Sequence, residues 1–285
     1  MARKPKIAIV GPGRLGTALA TSLRRAGYRI SEVIAPARKA SQQRARKLAL
    51  GVGARAATVH SAWLDSDLIW FCVPDGQIAE AAGALAGKAS WSGKIAFHAS
   101  GALASDELGI LRKRGASVAS VHPLMTFVRG SIPSLAGVSF AVEGDPKAVR
   151  IARRIVRDLK GDAFPLAKSK KAAYHAWGAF TSPLLVAALV AGEEVARTAG
   201  LPAQVARKRM LPIVAQTLAN YAALGPEGAF SGPIVRGDVA VIRKHLRVLR
   251  STPAAREVYL ALARSALKAL PARRRKELQR ALKGR

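Results

Sequence analysis

Three glycines carry the first chemistry that can be read from this chain. Gly11-Pro12-Gly13-Arg14-Leu15-Gly16 follows the apolar run KIAIV and leads into LGTALATSLRRAG, a helix-like segment closed by Gly27. In a strand-turn-helix setting this spacing describes a turn that holds a pyrophosphate. Gly11 permits the tight turn, Gly13 lets the backbone approach the phosphates, and Gly16 lets helix and strand pack closely. The N–H groups that start the helix, at Arg14 and Leu15, then face the anion. A site selective for NAD places a carboxylate about 20 residues further on to hold the ribose hydroxyls. Here that region reads Ala35-Pro36-Ala37-Arg38-Lys39, with two cations and no acid. A guanidinium and an ammonium suit a 2′-phosphate, so the expected cofactor is NADP.

Further candidates lie where apolar runs end, because open α/β sheets bind ligands beyond the carboxyl ends of their strands. Val73-Pro74-Asp75 closes one run; Val73 and Pro74 are assigned to the cofactor cleft, and Asp75 to capping the next helix. His98-Ala99-Ser100-Gly101 closes a second and His122-Pro123-Leu124-Met125-Thr126-Phe127 a third, bringing two imidazoles and a hydroxyl to neighbouring strand ends. Lys171, Tyr174 and His175 stand at i, i+3 and i+4, so one helix face presents all three. Tyr174 is assigned to core packing. Arg236, in Ser231-Gly232-Pro233-Ile234-Val235-Arg236-Gly237-Asp238, offers a guanidinium to a carboxylate or phosphate, with Asp238 as the next helix's N-cap.

The elements that must position these residues change character along the chain. Short apolar runs alternate with amphipathic stretches up to about Leu166, which implies a mostly parallel sheet covered on both faces. Only helical periodicity follows, broken by Gly and Pro, with one extended Gly/Pro-rich interruption from Pro226 to Gly237. We therefore expect an α/β fold in two domains: residues 1–166 as a dinucleotide-binding domain of Rossmann type, and residues 167–285 as an all-α domain.

Composition narrows the classes further. The 285 residues carry 47 Lys plus Arg against 17 Asp plus Glu, a formal net charge of +30, and half are hydrophobic. Disorder is excluded for most of the chain. One cysteine, Cys72, makes neither an intramolecular disulfide nor a multi-cysteine metal site, which indicates a reducing, cytoplasmic setting. No metal is expected. The basic excess is spread along helix faces and densest in the tail, at Arg273, Arg274, Arg275, Lys276, Arg280, Lys283 and Arg285, with no aromatic-interleaved motif. It reads as a solvated surface, and nucleic acid is not expected as a partner. The uncharged stretch from Ala172 to Gly192 is long enough to span a bilayer. Its His175, Thr181, Ser182 and Pro183, and its flanking charges, favour the core helix of a helical domain, so no membrane association is expected.

Taken in order, GPGRLGTALA, CVPD, HASGAL, HPLMTF, KKAAYHAW and SGPIVRGD resemble the bacterial Rossmann-like proteins with a C-terminal helical domain of unknown function. That group is similar to deazaflavin-dependent NADP oxidoreductases, pyrroline-5-carboxylate reductases and β-hydroxyacid dehydrogenases. The resemblance implies a nicotinamide-binding first domain, a helical domain that dimerises, and an active site in the cleft between them. It places Gly11, Gly13 and Gly16 on the pyrophosphate, Ser100 and Gly101 on the substrate side, and Lys171 where β-hydroxyacid dehydrogenases carry a catalytic lysine. The asparagine those enzymes have after that lysine is absent: Phe180-Thr181-Ser182-Pro183 stands there.

The expectation is an NADP-dependent oxidoreductase, a homodimer moving a hydride between nicotinamide and a small anionic carbonyl or imine. His98 or His175 would handle the proton, Lys171 or Arg236 would hold the anionic group, and Ser100, Gly101 and His122 would line the substrate. The alternative is a non-catalytic NADP-binding dimer that acts as a sensor or interaction module.

Overall fold

The computed structural model describes residues 3–283; Arg285 of the basic tail lies outside them. The chain begins with β1 (Ile7–Val10), α1 (Arg14–Arg25), β2 (Ile30–Ala35), α2 (Lys39–Val52), β3 (Arg55–Thr58) and β4 (Leu68–Phe71). It continues through α3 (Ile78–Ala86), β5 (Ile95–His98), α4 (Gly109–Arg112), β6 (Ser117–Pro123), β7 (Ser139–Gly144), α5 (Pro146–Asp158) and β8 (Asp162–Pro165). These strands form one sheet in the order β3-β2-β1-β4-β5-β6-β7-β8. Every pairing is parallel except β6 with β7, where Ser120 stands opposite Glu143 and His122 opposite Ala141.

Why these segments pair follows from their composition. β1, β4 and β5 are buried at every position, as strands covered on both faces must be. Two separate apolar clusters cover the sheet. One gathers Leu19, Leu23, Leu48, Val52, Ile155 and Val156 from α1, α2 and α5; the other gathers Ile78, Leu85 and Leu111 from α3 and α4 with Trp91. Such a doubly wound sheet opens a crevice at β1, where the strand order reverses. β3, with the sequence RAAT, carries too little apolar contrast to stand out in the sequence.

The second half is helical: α6 (Lys171–Thr181), α7 (Pro183–Thr198), α8 (Ala203–Ala229), α9 (Pro233–Arg236), α10 (Val239–Val248), α11 (Pro253–Ala269) and α12 (Arg275–Lys283). Val239 and Ile242 of α10, Leu260 and Leu267 of α11, and Leu278 and Leu282 of α12 form its core. The Pro226–Gly237 stretch is not one loop: α8 kinks at Gly225, which has a φ of +70°, and Pro233–Arg236 forms a helical turn of its own. Two compact units divide between Ala179 and Phe180, so α6 keeps most of its length with the sheet.

The expectation of a core helix across Ala172–Gly192 is overturned. Lys168–Thr198 is a helical stretch long and apolar enough to cross a membrane by length and composition, yet only 6% of its apolar window is buried. Phe180, Leu184, Val186 and Val190 are exposed, because α6 and α7 turn these side chains away from the chain's own core. α8 behaves likewise, with Ala206 its one buried residue and Leu211, Ile213, Tyr221 and Leu224 exposed.

Candidate functional site

The glycine turn shows which of its glycines the protein itself requires. A Cβ on Gly11, whose φ is +105°, would lie 2.5 Å from the Cys72 carbonyl oxygen, and one on Gly16 would lie 2.0 Å from the Gly11 carbonyl oxygen. Close packing between β1, α1 and the end of β4 forbids both. A Cβ on Gly13 would meet nothing nearer than the Cys72 oxygen at 3.9 Å. Gly13 is the N-cap of α1, makes no side-chain cap bond, and is followed by no acid in the first turn. The N–H groups of Arg14, Leu15 and Gly16 therefore point outward without helical acceptors, at the positive end of the helix dipole.

Gly11 and Gly13 line a cleft of about 820 Å3, together with Arg38, Ser41, Arg44, Val73, Pro74 and Gln77. Its two guanidiniums sit beyond β2, where the sequence has no carboxylate. Of the two cations expected there, Arg38 is in the wall; Lys39, the first residue of α2, is not among the lining residues. Arg44 takes its place, reached one helical turn from Ser41, whose Oγ accepts a 2.8 Å bond from the Arg44 guanidinium. The i, i+3 spacing of Ser41 and Arg44 was visible in the sequence, but only the end of α2 turned toward β2 decides which cations face the cleft. The Leu15 side chain packs against the core, and Arg14 borders a separate hollow.

Beside Pro74 a polar cluster closes the carboxyl ends of β4, β5 and β6. Ser100 Oγ donates to Asp75 at 2.9 Å and accepts the N–H groups of Ala102 at 3.1 Å and Leu103 at 2.9 Å. Asp75 thus fixes the turn leaving β5 and makes no cap bond. Lys171, the first residue of α6, is buried; its Nζ donates to the Ser100 carbonyl at 3.0 Å and to Ser120 Oγ at 2.6 Å, and Ser120 donates to the same carbonyl. Burial holds the Lys171 ammonium below the usual lysine range, with Glu143 and Asp75 opposing that shift. Glu143 is itself buried and receives the Ser105 N–H and hydroxyl.

Gly101 brings this turn against two rings. A Cβ there would lie 2.8 Å from His175 Cδ2 and 2.9 Å from His122 Nε2. His122 Nδ1 is 2.8 Å from the Tyr174 hydroxyl, so Tyr174 does more than pack. Burial lowers the His122 pKa to about 4, helped by the charge of Lys171, and pushes that of Tyr174 up to about 12. His122 is neutral and Tyr174 protonated around neutral pH. His175 is exposed.

Three of the expected residues have partners of their own in this geometry. His98 is fully buried; its Nδ1 accepts the Ser100 N–H at 3.1 Å and its Nε2 lies 2.9 Å from the Ala104 carbonyl. Burial takes its pKa down to about 4, and with both nitrogens committed it has no proton to exchange with a ligand. Lys171 spends two of its three N–H donors on the Ser100 carbonyl and Ser120 Oγ. Arg236 lies in the other compact unit, where its guanidinium pairs with Asp238 at 2.8 Å. Asp75, Ser120, Tyr174, Glu143 and Arg44 were not singled out as site residues. Ser120 was within reach of sequence reasoning, since it shares a strand face with His122 two residues on.

The fold and the cleft define a class: a dinucleotide-type α/β domain followed by a helical domain. Residues 2–123 match the family of Rossmann-like domains and residues 138–266 match a family described as a domain of unknown function, DUF2520. The two matches follow one another along the chain in that order. Comparison with curated proteins gives no match. Among solved structures, an NADP oxidoreductase assignment from Bacteroides fragilis is 24% identical, covering 92% of this chain and 97% of that one at a TM-score of 0.77. An imine reductase from Pseudomonas sp. is 23% identical over 98% of this chain and 100% of that one, with a TM-score of 0.62. A reductive aminase from Aspergillus terreus, in complex with NADPH4, cyclohexanone and allyl amine, is 20% identical over 93% of this chain and 94% of that one, with a TM-score of 0.64. These likenesses establish the fold.

Proposed function

We propose that this chain is a cytoplasmic, homodimeric, NADP-dependent oxidoreductase acting on a small anionic carbonyl or imine. The observation that carries the reading is Gly13: no protein atom forbids a side chain there, and it caps an uncapped helix start in a cleft that also holds Arg38 and Arg44. A pyrophosphate fits the helix start and a 2′-phosphate fits the guanidiniums. The reductive aminase and imine reductase of the same fold support a carbonyl or imine substrate, and exposed Leu184, Val186, Leu211 and Ile213 support a second copy covering α7 and α8.

When bound, a nicotinamide supplies or takes the hydride. The chain's residues handle the rest. With the Tyr174 hydroxyl donating to His122 Nδ1, His122 Nε2 carries the proton beside Gly101 and donates a hydrogen bond to the substrate heteroatom. His175, exposed and against the same side of Gly101 as His122, supplies the proton that heteroatom gains on reduction. Lys171, Ser120 and Asp75 hold the Ser100–Gly101 turn in place. Calorimetric titration with NADPH and NADH at physiological and raised salt, then a panel of carbonyl and imine acids, tests the reading. Tight salt-resistant NADPH binding with turnover supports it; no binding of either nucleotide ends it. The missing asparagine favours a second reading, an NADP-binding module without catalysis. That reading predicts binding, no turnover across the panel, and a cofactor-dependent change in self-association.

A further inference from the structure

A second hollow, of about 980 Å3, lies on the far side of the glycine turn, between α1, α2 and the loop joining β6 to β7. Arg14, Arg44, Lys47 and Arg129 all line it, and no acidic residue does. Among the described residues none of these four cations has a carboxylate within ion-pair distance, although the chain pairs other cations repeatedly. Four like charges converging on one hollow repel each other, and a bound anion relieves that repulsion. The rest of the wall combines the hydroxyls of Thr17, Thr21 and Ser131 with apolar side chains. Val128 and Ile132, on the loop, are about half exposed toward solvent, and Leu48 and Val52 of α2 lie behind them. Charged and apolar walls together select an anionic head joined to an apolar body.

We propose that this hollow is a second ligand site, separate from the dinucleotide cleft, that takes an organic phosphate or diphosphate with an apolar body. The phosphate lies between Lys47 and Arg129, and the body covers Val128 and Ile132. The two hollows share Pro12, Gly13 and Arg44 as a wall, so a ligand here bears on the glycine turn from behind.

The test is calorimetric titration of the full chain with inorganic pyrophosphate, inorganic phosphate and phenyl phosphate at physiological salt. Saturable binding is expected, with phenyl phosphate tighter than inorganic phosphate. The exposed pair Lys47→Ala and Arg129→Ala weakens pyrophosphate at least tenfold, whereas Arg38→Ala, and Arg150→Ala with Arg153→Ala on α5, leave it unchanged. With NADPH saturating the dinucleotide cleft, pyrophosphate still binds, now at the second hollow alone. Displacement by NADPH together with loss in Arg38→Ala assigns the anion to the dinucleotide cleft and overturns the proposal. Equal weakening by the Arg150 and Arg153 pair reduces it to the attraction of a highly basic chain, and absence of saturation also overturns it. The comparison among variants needs no nucleotide, so a failure of the oxidoreductase reading shows up separately, as absent NADPH binding.

Discussion

Lys171 Nζ stands 3.0 Å from the carbonyl oxygen of Ser100, tying the start of α6 to the turn that leaves β5. The same Nζ reaches Ser120 Oγ on β6, so one buried ammonium joins three elements. Lys171→Ala leaves a cavity and strips donors from two buried acceptors, and is expected to cost about 2–4 kcal/mol. Lys171→Met fills the same space without the bonds and costs clearly less. Urea denaturation of both variants measures the difference; equal stability of wild type and Lys171→Ala would refute the anchoring role.

Gly13 and Gly16 separate binding from folding. Gly13→Ala has room for its methyl group and is expected to change stability by less than about 0.5 kcal/mol. It nevertheless obstructs the approach of a pyrophosphate, so NADPH affinity falls at least tenfold. Gly16→Ala drives a methyl into the Gly11 carbonyl and lowers the melting temperature whatever ligand is present. Thermal melts with and without NADPH distinguish the two.

The choice between the two nicotinamide cofactors is expected to rest on Arg38 and Arg44. Removing either guanidinium forfeits a charged hydrogen bond, about 1.5–3 kcal/mol, or roughly 10- to 100-fold in NADPH affinity. NADH affinity stays the same. Lys39→Ala leaves both affinities unaltered, since Lys39 does not line the cleft. A titration in which Lys39→Ala rivals Arg38→Ala would contradict this arrangement.

Acid destabilises this protein through its buried imidazoles. The pKa of His98 falls to about 4 from the ordinary 6.5, because burial disfavours the charged ring. Between those two values the unfolded chain binds a proton that the folded chain refuses, so stability is lost as pH falls from 6.5 toward 4. The contribution of His98 is at most about 3 kcal/mol. Stability measured at several pH values for wild type and His98→Gln shows it as a shallower slope in the variant; identical slopes would exclude it.

How much of this was legible beforehand depends on what kind of neighbour each residue needed. The glycine turn, its strand and its helix were readable because their constraints are local. So was the alternation of strands and helices, because burial on both faces leaves continuous apolar runs such as those of β1 and β4. β3 was not, being a short edge strand. At the site, Gly101 and His122 were picked out as strand-end residues, but sequence position cannot show which nitrogen of a histidine is already occupied. His98 and His122 end neighbouring strands with similar surroundings in the sequence. Only the Ala104 carbonyl and the Ser100 N–H, returned to His98 by the following turn, make one imidazole structural.

The exposed face of α8 has a consequence for the thermodynamics of the whole chain. A helical stretch of 27 residues, kinked at Gly225 and with Ala206 as its one buried side chain, draws little stabilisation from its own chain, and isolated helices are marginal in water. If a second copy supplies the missing cover, unfolding becomes a dissociation as well, governed by mass action. Dilution then acts as a denaturant: the melting temperature rises with protein concentration, and a substitution such as Ile213→Glu lowers it most in the most dilute samples.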